Sequence, residues 1–175
     1  LLCADGGSVK IGIKFDQPGL GFQEGSEYTG FDVDVAKYVA GELGCGDIEF
    51  ISSPSAQREN MLQNGQVDIV VATYTINDTR KQVVDFAGPY YIAGQSFLVP
   101  KGNPNNITDP ENLGDNVICT VTGSTSEKNI REYTNNVITV DKYSDCLEPI
   151  RTGQAKALTT DNVILAGLVS QNPDE

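Results

Sequence analysis

Apolar and polar positions alternate early in the chain, where Val9, Ile11 and Ile13 predict a β-strand with one buried face. Residues 17–21 then read as a loop and residues 24–27 as a turn. A second period follows. Phe31, Val35, Val39 and Leu43 recur every four residues beside Ala36 and Ala40, predicting an amphipathic helix ended by Gly44 and Gly46. Phe31 and Val35 are expected on its core face, with Asp32 at its start. Ile48, Phe50 and Ile51 predict a second strand. Ser55 is placed to cap a helix through Leu62, and residues 67–72 form a β-branched run expected as a buried strand. Asn77 or Asp78 can cap a short helix carrying Arg80 and Lys81.

The alternation then repeats. Residues 95–99 predict a strand, and Pro100-Lys-Gly-Asn-Pro104 has the composition of a boundary. Beyond it, residues 117–121, 137–140 and 155–159 predict strands. Helices are expected from Asp109-Pro110-Glu111, from the stretch with Ser124 and Glu127 at capping-box spacing, from residues 144–152, and from Asp161 through Val169. Strands alternating with helices imply an α/β fold with mainly parallel sheets. The two runs imply two lobes, residues 1–99 and 100–175, with a hinge near residue 100.

Composition narrows the possibilities. With 39% hydrophobic and 21% charged residues, the chain can bury a core and is not of the disordered class. A formal charge of −12 argues against nucleic acid as a partner and means that an anionic ligand needs a local cationic pocket. There is no histidine, and Cys3, Cys45, Cys119 and Cys146 lack C-x-x-C spacing, so neither a metal site nor a cofactor is expected. Four cysteines allow three disulfide connectivities. One bridge per lobe, Cys3–Cys45 and Cys119–Cys146, is favoured, in keeping with an oxidising compartment. A lipidated Cys3 is the weaker alternative, because Leu2 replaces the small residue expected before such a cysteine.

Several phrases occur together: Gly30-Phe-Asp-Val-Asp34, Leu62-Gln-Asn-Gly-Gln-Val-Asp68, Thr73-Tyr-Thr-Ile-Asn-Asp-Thr-Arg80, Val84-Asp-Phe-Ala-Gly-Pro-Tyr90, Gly123-Ser-Thr-Ser126 and Thr160-Asp161. In this order they resemble the polar amino-acid solute-binding proteins of ABC transporters, which have a type II periplasmic-binding-protein fold. Lys14-Phe-Asp-Gln17 and Ser55-Ala-Gln-Arg58 look most like glutamate-binding members. Family chains return to the first lobe through a second crossover. This sequence stops at Pro173-Asp-Glu175 before that return, so the expectation is a first lobe lacking its C-terminal return segment.

The resemblance implies an extracytoplasmic monomer, in the periplasm or lipid-anchored at the cell surface. It would capture glutamate or aspartate by lobe closure and deliver it to a membrane permease, with no catalysis. By the same resemblance, Arg80 forks the ligand α-carboxylate, with contacts from Thr73 and Thr75. Thr125, at a helix start, offers N–H groups and a hydroxyl, while Asp161 receives the ammonium and Thr160 beside it belongs to the ligand-binding set. Lys14 and Arg58 meet the second carboxylate and repel a cationic ligand tail. Asp16 and Gln17 are expected to orient Lys14, and Tyr74 either closes over the ligand or belongs to the core.

Two rival classes share this fold. A dehydratase-like enzyme would need positioned acid–base groups, and no carboxylate pair is clearly placed for that work. A receptor's sensory domain would be flanked or interrupted by transmembrane helices, and the boundary near Pro100 contains none.

Overall fold

The computed structural model of the chain describes residues 2–173. The first unit contains β1 (Ser8–Ile13), β2 (Asp16–Gln17), β3 (Gly21–Glu24), β4 (Glu27–Thr29), α1 (Phe31–Glu42), β5 (Asp47–Ser52), α2 (Arg58–Gln63), β6 (Ile69–Val70) and α3 (Asp78–Lys81). β1 is the middle strand of a parallel sheet ordered β5-β1-β6. Its alternation delivers Val9, Ile11 and Ile13 to a core shared with Val33, Ala36, Ala40 and Val71, and all three are wholly buried. Burying side chains of this size contributes roughly 1.5–3 kcal/mol each.

Four local expectations change in this unit. The stretch read as loop and turn forms a small antiparallel sheet, β2-β3-β4. Its strands are too short and polar to show a period, and Gly19 and Gly25 supply the positive φ angles at its turns. Helix α1 buries Val33, Ala36 and Ala40, whereas Phe31 is exposed. At 3.6 residues per turn, a strict four-residue spacing drifts by about 40° per step, so the Phe31 series spreads around the helix. Ser55 is no cap: it opens a 3-10 turn, makes no capping bond, and α2 begins only at Arg58. The strand expected over residues 67–72 is confined to Ile69–Val70, although Val67, Val71 and Ala72 are buried beside it.

The chain passes from one compact unit to the other at Tyr90–Tyr91. The second contains β7 (Gln95–Leu98), β8 (Ile118–Val121), α4 (Thr125–Ile130), β9 (Val137–Val140), α5 (Leu147–Arg151), β10 (Ala157–Asp161) and α6 (Asn162–Gln171). They build one sheet ordered β7-β10-β8-β9, parallel except for β7. The boundary expected at residues 99–100 therefore falls too late. Leu98 pairs with Leu158, which commits residues 95–98 to the second sheet. Ile107, Leu113, Ile118, Ile130 and Ala157 form an apolar cluster here. Ser124 caps α4 by accepting the Glu127 N–H at 3.0 Å, and Glu127 answers by accepting the Gly123 N–H at 2.9 Å.

Each unit holds one disulfide, Cys3–Cys45 and Cys119–Cys146. The Cys3 sulfur is thus bonded to Cys45 and is not the sulfur of a lipid thioether.

Candidate functional site

Both parallel arrangements have the same internal logic. In each, the strand that comes first in the chain lies in the middle, and the next two parallel strands take opposite sides: β5 and β6 around β1, β9 and β10 around β8. Connections then leave the sheet in opposite directions at the strand ends. That divergence opens a crevice at the carboxyl edge, the usual ligand position in α/β sheets. Lys14 directly follows β1, and Thr73 lies three residues beyond β6. In the second unit Thr125 lies four residues beyond β8, and Thr160 and Asp161 end β10. Lys14 and Thr73, like Thr125, Thr160 and Asp161, therefore lie at the switch of their own sheet.

In the first unit three cations are buried: Lys14 and Arg58 are 2% exposed and Arg80 is 7% exposed. Charges withdrawn from water need partners. Lys14 Nζ lies 3.4 Å from Asp16 Oδ1. Arg58 Nε donates to the Ser53 carbonyl at 3.0 Å, just beyond β5. Arg80 Nη1 donates to the Thr75 carbonyl at 2.8 Å, and its Nε lies 3.3 Å from Glu59 Oε1. Asn77 Oδ1 caps α3 by accepting the Arg80 backbone N–H at 2.9 Å.

Tyr74 joins the two guanidinium groups. Arg58 and Arg80 stand over its ring at 5.1 and 4.9 Å from the centroid, and Phe86 packs against it at 5.1 Å. A cation over a ring is worth roughly 0.5–1 kcal/mol at an exposed site and about 2 kcal/mol when desolvated. Burial, reinforced by the negative charge of Glu59, pushes the Tyr74 phenol up to about 12.

Thr73 has a left-handed backbone, with φ of 49°. Its N–H donates to Asp32 Oδ2 at 2.9 Å, while Asp32 Oδ1 accepts the Tyr90 hydroxyl at 2.6 Å. Burial raises the Asp32 pKa; the bonds from Tyr90 and Thr73 and the positive charge of Arg58 oppose that rise. The Thr73 hydroxyl also lies 3.0 Å from Gln17 Oε1.

Thr125 is the first residue of α4, directly after the Ser124 cap. Ser126 Oγ donates to Thr160 Oγ1 at 3.1 Å, and Gln95 Nε2 donates to the Ser126 carbonyl and to Thr159 Oγ1 at 3.2 and 3.1 Å. Thr160 is 1% exposed. Asp161 stands at the N-cap position of α6 but makes no side-chain capping bond.

The structure thus gathers Arg58, Arg80 and, through the Arg80 bond, Thr75 around Tyr74. It gathers Thr73 with Gln17 and Asp32, and Thr160 with Ser126. Lys14 pairs with Asp16. Gln17 meets Thr73, whereas Asp16 faces Lys14 as expected. Sequence reasoning missed Glu59, Gln95 and Ser126, and it read Asp32 only as a helix start. Glu59 lies 21 positions before Arg80, and no local period links such residues.

Two α/β units with polar and charged side chains at their strand switches define a two-lobed binding protein of the type II periplasmic class. The chain belongs to the bacterial extracellular solute-binding proteins, family 3, whose pattern matches residues 9–171. It is 40% identical to the glutamate-binding protein GluB of Corynebacterium efficiens, with all of this chain and 63% of that one covered. It is 41% identical to the ABC transporter glutamine-binding protein GlnH of Bacillus subtilis, covering 96% of this chain and 63% of the relative. An ancestral arginine-binding protein bound to glutamine superposes with a TM-score of 0.89 at 34% identity, over 95% of this chain and 75% of that one. The chain spans less than two thirds of the length of the two natural relatives.

Proposed function

We propose that this chain is the ligand-binding part of an extracytoplasmic solute-binding protein that captures an acidic amino acid, glutamate foremost, by lobe closure. It would pass its cargo to an ABC-transporter permease. The observation that carries this reading is the burial of Lys14, Arg58 and Arg80 in one unit of a chain whose formal charge is −12. Buried cations are rare unless paired or used. Lys14 already faces Asp16 and Arg80 already faces Glu59, so these pairs can be remade around an incoming carboxylate. Arg80 suits the α-carboxylate and Arg58 the side-chain carboxylate, with Thr73, Thr75, Thr125, Thr160 and Asp161 completing the contacts. The relatives named for glutamate and for glutamine support the ligand class.

Calorimetric titration with glutamate, aspartate, glutamine and arginine tests the reading. Glutamate is expected to bind. Arg80→Lys, which keeps the charge but not the planar fork, should lose about 100-fold or more for every ligand. Arg58→Ala should lose more for glutamate than for glutamine. Preference for arginine would overturn the acidic assignment, and silence from every amino acid would overturn the proposal itself.

A further inference from the structure

Tyr74 stands between two residues whose backbones are already committed. The Thr73 N–H before it donates to Asp32 Oδ2 at 2.9 Å, and the Thr75 carbonyl after it accepts from Arg80 Nη1 at 2.8 Å. Phe86 packs against the ring itself, with centroids 5.1 Å apart and planes inclined by 59°. The ring is therefore held in place by its own unit on several sides.

Arg58 and Arg80 lie over that ring, at 5.1 and 4.9 Å from its centroid. Two cations this near one point lie no farther apart than those two distances laid end to end, and like charges so placed repel. What they share is an aromatic face, whose negative charge attracts a cation lying over it. Sharing the ring offsets the repulsion and gives the two groups a common point of reference. Each is also held at its edge: Arg58 Nε donates to the Ser53 carbonyl at 3.0 Å, and Arg80 Nε lies 3.3 Å from Glu59 Oε1.

A guanidinium offers its flat face and its N–H edge to different partners. The ring takes the face, whereas a carboxylate takes the edge through paired N–H groups. The ring contacts are thus compatible with a bound carboxylate, and they fix where each edge points. In the function proposed above, Arg80 meets the α-carboxylate, which every amino acid carries. Arg58 meets the side-chain carboxylate, which separates glutamate from glutamine. A group that sets the second cation against the first acts on that distinction.

We propose that Tyr74 is a positioning residue for ligand choice: its ring fixes the Arg58 guanidinium relative to Arg80, so that the second cation meets the side-chain carboxylate of glutamate in preference to a neutral carboxamide. This inference rests on the function proposed above.

Calorimetry with glutamate and glutamine tests it on the wild-type chain, Tyr74→Leu, Tyr74→Phe, Arg58→Ala and the double variant Tyr74→Leu/Arg58→Ala, with a thermal melt of each ligand-free chain. Tyr74→Leu removes the ring, and the glutamate-to-glutamine affinity ratio should fall about fivefold. Tyr74→Phe keeps the ring and should recover the ratio. On the Arg58→Ala background, Tyr74→Leu should leave the ratio within about twofold, because the cation it places is gone. A purely structural role shrinks the binding-competent fraction for both ligands alike, which shifts the melt and leaves the ratio where it was. Should Tyr74→Leu fail to fold, a ring-fluorinated phenylalanine at position 74 weakens the negative face while nearly keeping the shape, and the ratio should fall against Tyr74→Phe. An unchanged ratio in Tyr74→Leu or in the fluorinated chain, an equal fall with and without Arg58, or a fall in Tyr74→Phe as large as in Tyr74→Leu would each overturn the inference and leave the functional reading standing. If the wild type binds neither ligand, the functional reading fails first and takes this inference with it.

Discussion

Asp32 holds Thr73 from 41 positions earlier in the chain: its Oδ2 accepts the Thr73 N–H at 2.9 Å. Thr73 needs the help, because its φ of 49° places a β-branched residue in the left-handed region, a conformation that costs roughly 1–2 kcal/mol. The second carboxylate oxygen accepts the Tyr90 hydroxyl at 2.6 Å. One side chain thus ties the start of α1, the loop after β6 and the last residue of the first unit. Asp32→Ala is expected to lose about 2–3 kcal/mol in urea denaturation, since it strands a backbone N–H and a phenol. Asp32→Asn keeps an acceptor for Thr73 and a donor toward Tyr90, so its loss should be under about 1 kcal/mol.

The same pair of variants reports the ionisation of Asp32. Burial raises its folded-state pKa above 3.8, so the folded state holds the proton more tightly than the unfolded state. Stability contributed by this group is present at low pH. It falls as pH rises from 3.8 through the folded-state value. Asparagine has no such slope, so Asp32→Asn should gain on the wild type as the pH climbs through that window. Urea midpoints measured across the acid range check this, and a pH-independent difference would show that Asp32 does not titrate upward.

Two tyrosines should ionise late. Tyr74 is pushed up to about 12 by burial and by the charge of Glu59; burial and the charge of Asp32 also raise Tyr90. The folded protein keeps these phenolic protons after the unfolded chain has released them near pH 10. Stability is therefore lost as pH rises above 10. An ultraviolet phenolate titration of the native chain should show a late component, reduced by Tyr74→Phe and again by Tyr90→Phe. Loss of an early component in either variant would contradict the assigned environments.

Local signals were legible and distant ones were not. The β1 alternation, the Asn77 cap and the Ser124 cap each depend on residues within a few positions, where periodicity and side-chain chemistry act directly. The β2–β4 hairpin sheet escaped because its strands are two to four residues long, too short to display a period. Arg58 and Arg80 read in the sequence as two separate candidate ligand groups, 22 positions apart. Only the fold shows both over the Tyr74 ring. Asp32 with Thr73, and Glu59 with Arg80, are contacts across 41 and 21 positions that arise from strand order, which a linear pattern does not encode.

The disulfides should act within their own units. Cys3–Cys45 closes a separation of 42 residues and Cys119–Cys146 one of 27. On the chain-entropy model the two contribute about 4 and about 3.5 kcal/mol. Replacing Cys119 and Cys146 by serine should lower the urea midpoint of the second unit, and replacing Cys3 and Cys45 that of the first. Combining all four substitutions should give additive losses, because the two bridges share no partner residue. A loss in the combined variant that differs from the sum by more than about 1 kcal/mol would show that the units are energetically coupled.

Gly30 makes the most stringent steric prediction. The first N–H groups of α1 have no partner inside the helix, and the turn before β3 supplies two: Phe31 N–H donates to the Gly19 carbonyl at 2.9 Å and Asp32 N–H to the Leu20 carbonyl at 3.0 Å. To bring that carbonyl close, residue 30 adopts φ of 119° and has no room for a side chain. An added Cβ would stand 2.1 Å from the Leu20 oxygen. Gly30→Ala must therefore move the turn, break one or both of these bonds, or abandon its backbone conformation. Each route is expensive, and together they predict a loss of at least about 2–3 kcal/mol. The turn also connects β2, which bears Gln17, to β3, so the damage should reach the ligand side. Glutamate affinity should fall along with the denaturation midpoint, whereas Gly25→Ala, at a turn with nothing within 4 Å of the added Cβ, should lose only about 1 kcal/mol of stability from backbone strain and leave affinity unchanged. Equal effects at the two glycines would mean that the Gly30–Leu20 approach does not anchor the hairpin.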